Sequence, residues 1–443
     1  MPVGPAGPGT ARHIRRRGVG LAVAAICLYW LSLYLYVPIL APRAHRLGAG
    51  VAGVGLVLAA YGFVQFLLRI PTGIWSDQVG RRRPFMLAAL AASGLAALGM
   101  GVAHAPLALG LFRGMSGLGA CGWVAITLFF AEFFPAERAP WAFGIVGFLA
   151  TGSQLVASLV GGLLAQAAGL VAPFVAAGLV ACVGVLLILP VPEPVLPAAA
   201  APGSGRGERW ATRLRARLAV GSQRDLLTAS GLSIASHYVI FVTTFGFSPL
   251  LAASRFGAGG AALGVLAVCA GAPSAAGSLL SGRLAGRWAP RRIVATGFVL
   301  AAAGTALVVL APSLRVLDAV SALNGLGLGL LGPSLMASAM HGFSAGQRGT
   351  AMGFYQSIYA VGMFGGPALA GWIGSRLGMA GLFETTAVVA VAGVALAWRL
   401  LPARVPRAFP DRGAAAFPVD GSGEAGPRGR RGEAAGRPAP LER

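Results

Sequence analysis

The stretch GIWSDQVGRRRP, Gly73–Pro84, decides the fold. It packs one carboxylate, three consecutive arginines and two glycines into a short gap between apolar runs. An apolar run of about 20 residues can cross a ~30 Å hydrocarbon core as a helix. A polar gap between two such runs is then a connection at a membrane edge. Clustered arginine marks such connections as cytoplasmic.

Outward from this gap the same pattern repeats. Only 11% of the 443 residues are charged and 56% are hydrophobic, whereas soluble domains carry about 25% charged residues. Twelve spans are expected, at 18–40, 51–75, 84–104, 106–131, 139–165, 171–191, 225–252, 259–282, 292–312, 314–340, 348–375 and 379–401. The basic segment ARHIRRRG precedes about 23 apolar residues, too many for a signal-peptide core of ~7–15, so it is expected to stay as the first span. The net charge of +22 comes from arginines in the gaps and the tail, a distribution that argues against nucleic acid. Arg12, Arg15 to Arg17, Arg81 to Arg83, Arg138, Arg283, Arg287, Arg291, Arg292 and Arg348 fall on one side. Arg43, Arg46, Arg255, Arg315 and Arg376 fall on the other. Both termini are therefore expected in the cytoplasm, with the chain multi-pass in the inner membrane.

The chain divides into a basic N-terminus (1–17), a six-helix bundle (18–191), a linker (192–224), a second bundle (225–401) and a Pro-, Gly- and Arg-rich tail (402–443) expected to be disordered. The linker opens as PEPVLPAAAAPGSG and continues as RGERWATRLRARL. Trp210, Leu214 and Leu218 at helical spacing among arginines read either as an amphipathic surface helix or as a plain solvated linker. The two bundles repeat each other at an offset of 209: Gly55 with Gly264, Gly73 with Gly282, Gly144 with Gly353, Gly162 with Gly371, Gly169 with Gly378 and Phe174 with Phe383. Parallel repeats about an axis along the membrane normal are one transporter architecture.

On these residues the chain resembles the major facilitator superfamily over residues 14–402. Its loop between helices 2 and 3 reads Gly-x-x-x-Asp-(basic)-x-Gly-Arg-(Arg/Lys); here Gly73, Asp77, Gly80, Arg81 and Arg82 match, and Gln78 departs. LGLFRGMSGLGA, AEFFPAERA and GMFGGPALAG are also similar to the family. The resemblance implies an all-α membrane protein with twelve transmembrane helices in two parallel six-helix repeats, the major facilitator fold. It also implies a cytoplasmic gate in which Asp77 pairs with Arg81 and caps helix 11 near Arg348, with Glu132 beside it. The drug–proton antiporter branch carries Gly-x-x-x-Gly-Pro-x-x-Gly-Gly in helix 5. This chain keeps Gly161 and Gly162 but lacks the Gly-Pro.

Proton coupling has three candidates: Arg113 inside helix 4, His237, and Asp318 one turn into helix 10. A lone intramembrane histidine can equally donate to a backbone carbonyl. The cavity expected from the resemblance draws on Tyr29, Trp30, Tyr34, Trp123, Gln154, Tyr238, Phe241, Asn324, Tyr355, Gln356 and Tyr359. Such aromatic walls with few polar groups suit a bulky, fairly apolar ligand, although Trp and Tyr also form interface belts.

The expected function is secondary active transport of a small organic, amphipathic or aromatic molecule by alternating access, as proton-coupled efflux. Uptake or facilitated exchange of a metabolite is the alternative, and a non-transporting membrane sensor or scaffold is the alternative from another class. Cys27, Cys121, Cys182 and Cys269 lie inside apolar runs as packing residues, with no metal-ligand spacing. No P-loop or Ser/His pairing is present, so no enzyme, metal or cofactor is expected. The expected partners are the substrate, the bilayer and protons as coupling ion, with the chain working as a monomer.

Overall fold

The computed structural model describes residues 8–79, 81–131, 133–134, 139–191, 220–285, 287–343 and 345–403. The expected amphipathic segment of the linker, the C-terminal tail, Gly80 and Glu132 lie outside them. In a hydrocarbon solvent every backbone N–H and C=O must be satisfied internally, so apolar runs of this length settle as helices. Among the described residues ten helices are long and apolar enough to cross a membrane. Thr350–Leu400 is one of these, and it is two rods joined at Gly378, whose φ is +71°. With the shorter apolar helix Ala172–Ile188 the crossings number twelve.

The first half contains α1 (Pro8–Tyr34), α2 (Val37–Arg46), α3 (Val51–Val79), α4 (Arg83–Val102), α5 (Pro106–Cys121), α6 (Trp123–Ala131), α7 (Ala139–Ala168) and α8 (Ala172–Ile188). The second contains α9 (Arg224–Val242), a π turn (Thr243–Phe247), α10 (Ser248–Phe256), α11 (Gly260–Leu284), α12 (Pro290–Leu310), α13 (Leu314–Ala339) and α14 (Ala345–Leu400). The first span outruns its expected end at residue 40, because Pro38 sits in the first turn of α2, where a missing N–H costs nothing.

The offset of 209 reappears in three dimensions. Gly48 and Gly257, both with positive φ, turn the chain after the first crossing of each half; Gly169 and Gly378 do so before the last. The first crossing of each half is also broken at equivalent places. Leu35 and Tyr36 separate α1 from α2, and the π turn at Thr243–Phe247 separates α9 from α10. A π turn adds a residue to the helix and re-aims the side chains that follow.

Two crossings between the halves close one end of the bundle. In one, Gly55 of α3 meets Pro367 and Gly371 of α14 so closely that a Cβ on Gly55 would overlap the Pro367 carbonyl. In the other, Gly162 of α7 meets Gly260 and Gly264 of α11, where an added Cβ would stand 2.7 Å from the Gly264 Cα. The offset turns one contact into the other, Gly55 becoming Gly264 and Gly162 becoming Gly371. Small residues allow such approach in lipid, where packing replaces the hydrophobic effect between helices. At the opposite end, which carries the arginine-rich connections, added Cβ atoms at Gly147, Gly282 and Gly353 would meet nothing within 4 Å. The halves are thus joined backbone to backbone at one end, while these three glycines of the other touch nothing. Outward-facing apolar side chains such as Leu107 and Phe148, 75% and 74% exposed, suit a lipid surround.

Candidate functional site: a cavity between the halves

The broken first crossings face each other across the interface. The Tyr34 ring of α1 lies 5.7 Å from Phe245 of the π turn, edge to face. Beneath them Trp30 packs on Trp123 at 4.8 Å and on Tyr34 at 5.6 Å. Beside this cluster a cavity of about 160 Å³ is bounded by Tyr34, Gln154, Ser158, Phe245, Ser274 and Ser278 among others. Its lining is apolar with a few hydroxyls and one amide, the composition of a site that binds a bulky body and orients it with few polar contacts.

Towards the arginine-rich end a second group ties the halves together. The Arg69 Nη1 of α3 donates to the Tyr359 Oη of α14 at 3.2 Å. The Tyr359 ring stacks on His237 of α9, with centroids 3.9 Å apart and planes at 6°. His237 Nδ1 lies 2.8 Å from the Ser233 carbonyl oxygen. A carbonyl only accepts, so Nδ1 carries the hydrogen and donates. Nearer the closed end Tyr61 stacks on Phe241 at 6.2 Å, a further contact between halves.

Arg113 is buried, its guanidinium carbon 4.1 Å from the Tyr61 ring centre and 5.8 Å from that of Tyr36. Its Nη1 donates to Ser116 Oγ at 3.4 Å. A cation over an aromatic face is attracted by the ring quadrupole, worth about 2 kcal/mol or more when desolvated. Asp318 stands in the opening turns of α13, half-buried, with Oδ1 unpartnered; it forms no ion pair with either arginine.

Several residues expected to line the cavity are held elsewhere in this conformation. Tyr29 is fully buried and donates to the Gly119 carbonyl at 3.1 Å, inside the first half. Asn324 is buried within the second half: its Nδ2 donates to Thr305 Oγ1 at 2.8 Å and to the Ala301 carbonyl at 3.1 Å, and its Oδ1 accepts from Thr243 at 3.3 Å. Tyr355 pairs its hydroxyl with Ser233 Oγ at 2.8 Å. The backbone of Tyr238 packs against Gly366 of α14. In this conformation these four lie in the bundle interior, because each polar group finds its partner on a neighbouring helix of the same half or is covered by one. Phe241 is buried against Tyr61, and Gln356 is buried with Oε1 unpartnered. Trp30, Tyr34, Trp123, Gln154 and Tyr359 remain half-exposed at the interface.

Of the expected gate, Gly73 and Asp77 lie in the last turns of α3, with the Asp77 side chain outside the description. Arg81 is exposed. Arg82 donates to Ser76 Oγ at 2.6 Å, and Arg83 donates to the Leu189 carbonyl. These two bonds run within the first half. Arg69 and Phe245 also stand at the interface, beyond the residues expected there above. Arg69 shares the helix face of Tyr61 and Gln65 at four-residue spacing, the signal that could have found it.

A twelve-crossing helical bundle of two repeats around a central cavity defines the class, a membrane transporter fold. The family model described as Major Facilitator Superfamily matches residues 22–272 and 230–438, and the chain belongs to that family. Among known proteins it is similar to the class E tetracycline resistance protein of Escherichia coli, 32% identical over 155 residues, covering 34% of this chain and 38% of that one. It is also similar to an uncharacterised MFS-type transporter of Mycobacterium tuberculosis, 30% identical over 128 residues, covering 28% and 22%. The chain thus matches well under half the length of these curated relatives. Its fold resembles that of a bacterial homologue of the human lysosomal transporter Spinster, solved inward-facing and unoccupied, with TM-score 0.70, 16% identity and coverage of 89% and 98%.

Proposed function

We propose that the chain exports a small amphipathic or aromatic molecule across the cytoplasmic membrane by alternating access, with both termini cytoplasmic. One observation carries this reading: a cavity with Tyr34 of one half and Phe245 of the other in its wall lies between halves joined at one end by two offset-related glycine crossings. Rocking one half against the other exchanges which end is open. Positive-inside counting assigns the arginine-rich end to the cytoplasm. The partial match to a tetracycline resistance protein supports export, and His237 is the proton-coupling candidate that stands at the interface.

A second reading, uptake or facilitated exchange, is favoured by the missing helix-5 Gly-Pro and by the lack of a buried carboxylate among the described residues. Everted vesicles energised to an acidic interior separate the two. Protein-dependent proton release on adding a transported compound is the expected outcome. Compound movement without proton release supports exchange, and no movement of any compound in a broad panel, with the protein folded, leaves the sensor or scaffold reading.

A further inference from the structure

The buried charge at the interface has one sign. Among the described residues the buried ionisable side chains of opposite type to a carboxylate are Arg43, Arg69 and Arg113, and no Asp or Glu is buried. Arg43 is accounted for: it donates to the Gly101 and Ala103 carbonyls at 2.7 and 3.2 Å and covers the Phe174 ring. Arg69 and Arg113 are satisfied less fully. Each is at least nine-tenths buried, lies over a tyrosine ring and donates to a hydroxyl, and among the described residues no carbonyl or carboxylate accepts from either. A guanidinium offers five N–H donors, and an ionised group at membrane depth without a counter-charge marks a functional site.

Neither lines the cavity beside Tyr34 and Phe245, but both stand at the seam between the halves: Arg69 bonds Tyr359 across it, and Arg113 covers the Tyr61 ring that stacks on Phe241. Tyr61, Gln65 and Arg69 follow one face of α3, so Arg69 stands about 12 Å along the helix from the ring that Arg113 covers. Two positive charges therefore line one wall of the interface, and Trp30, also in that half, adds an unpartnered Nε1 donor. Water-poor, low-dielectric surroundings strengthen and extend the field of both charges. A cation entering between the halves along this wall meets repulsion, whereas an anion supplies a counter-charge.

We infer, resting on the reading of the space between the halves as the substrate path, that the substrate is an organic anion, a carboxylate or sulfonate on an aromatic body. Arg69 and the Tyr359 hydroxyl hold the charged group, Trp30, Tyr34, Trp123 and Phe245 take the body, and Arg113 sets the sign of the potential. An inside-negative membrane drives both the exit of a monoanion and the entry of the proton exchanged for it.

The test uses the full chain in nanodiscs of zwitterionic phosphatidylcholine and three probes of one shape: 2-naphthylacetate, 2-(2-naphthyl)ethanol and 2-(2-naphthyl)ethylammonium. Calorimetric titration against empty nanodiscs is expected to give saturable binding of the anion, at least tenfold tighter than the cation, with the neutral probe between. Arg69→Gln is expected to weaken the anion at least tenfold and the neutral probe less than twofold, and Arg69→Lys to restore part of the loss. Equal or tighter binding of the cation, or no saturable anion binding, overturns the inference on the unaltered protein, whatever the variants do. Flux of the same probes in proteoliposomes keeps the two readings apart: anion binding without flux of any probe counts against transport alone, and flux of the cation without anion binding counts against the anion site alone.

Discussion

Set at the offset of 209, the two halves agree in their glycines and disagree in their charges. Gly55 and Gly264, Gly162 and Gly371, Gly48 and Gly257 coincide. Arg43, Arg69 and Arg113 of the first half stand opposite Ala252, Ser278 and Ala322 of the second. Asp77 stands opposite Gly286. Duplicated backbone contacts give two hinged crossings of the same kind, the mechanical requirement for rocking. The one-sided charges put the proposed gate and site on the first half, with the second supplying aromatic and hydroxyl surfaces such as Tyr359 and Phe245.

The largest expected effect comes from breaking the shared feature. Gly162→Leu puts a side chain into the backbone of α11. Overpacking of this kind costs about 1–3 kcal/mol, and each 1.4 kcal/mol is tenfold in an equilibrium constant. Transport by Gly162→Leu in proteoliposomes should fall tenfold or more, and Gly55→Leu should match it. A strong loss in one variant beside normal flux in the other would break the equivalence of the two crossings.

Charge comes next. Asp77→Asn should leave the protein folded in detergent by size-exclusion profile while flux drops severalfold or more, since the proposed cytoplasmic lock loses its carboxylate. Gly286→Asp should change flux little, because the second repeat has no counterpart to strengthen. Wild-type flux in Asp77→Asn would remove the gate assignment.

Smaller effects concern each half by itself. Arg43→Met removes charge-assisted bonds to two carbonyls, of a type worth about 1.5–3 kcal/mol each, and should lower the thermal midpoint by several degrees. Asn324→Leu breaks the link among the π turn, α12 and α13. Hydrogen bonds between membrane helices average about 0.6 kcal/mol with a maximum near 1.7, so its midpoint should fall less than that of Arg43→Met. Differential scanning fluorimetry orders the two, and the reverse order would mean that the second half depends on its polar network more than the first.

Much of the fold was legible because its determinants are local. Apolar length marks the crossings, and glycine is scarce enough in alternatives at close crossings and positive-φ turns that a fixed offset survives in sequence. The π turn was not legible: TTFGF lies within an apolar run, and what stabilises the turn includes Asn324, which is 81 residues from Thr243. For the same reason Asn324 read as a cavity group. Composition shows that a helix carries an amide, whereas the rotation set by neighbouring helices decides whether it faces the cavity or Thr305. Arg43 read as a loop charge, yet its stem reaches under Phe174 to carbonyls near residue 102, a contact that only tertiary packing creates.

The most direct test of alternating access measures both ends at once. In a background with Cys27, Cys121, Cys182 and Cys269 replaced, spin labels go on Val79 and Trp288 at the arginine-rich end, or on Arg46 and Arg255 at the closed end; each pair is exposed and related by the offset. Double electron–electron resonance should show the first distance shortening and the second lengthening together when a compound positive in the flux assay is added. Distances that stay fixed at both ends, or that move in the same direction, would contradict the rocking of two equivalent halves.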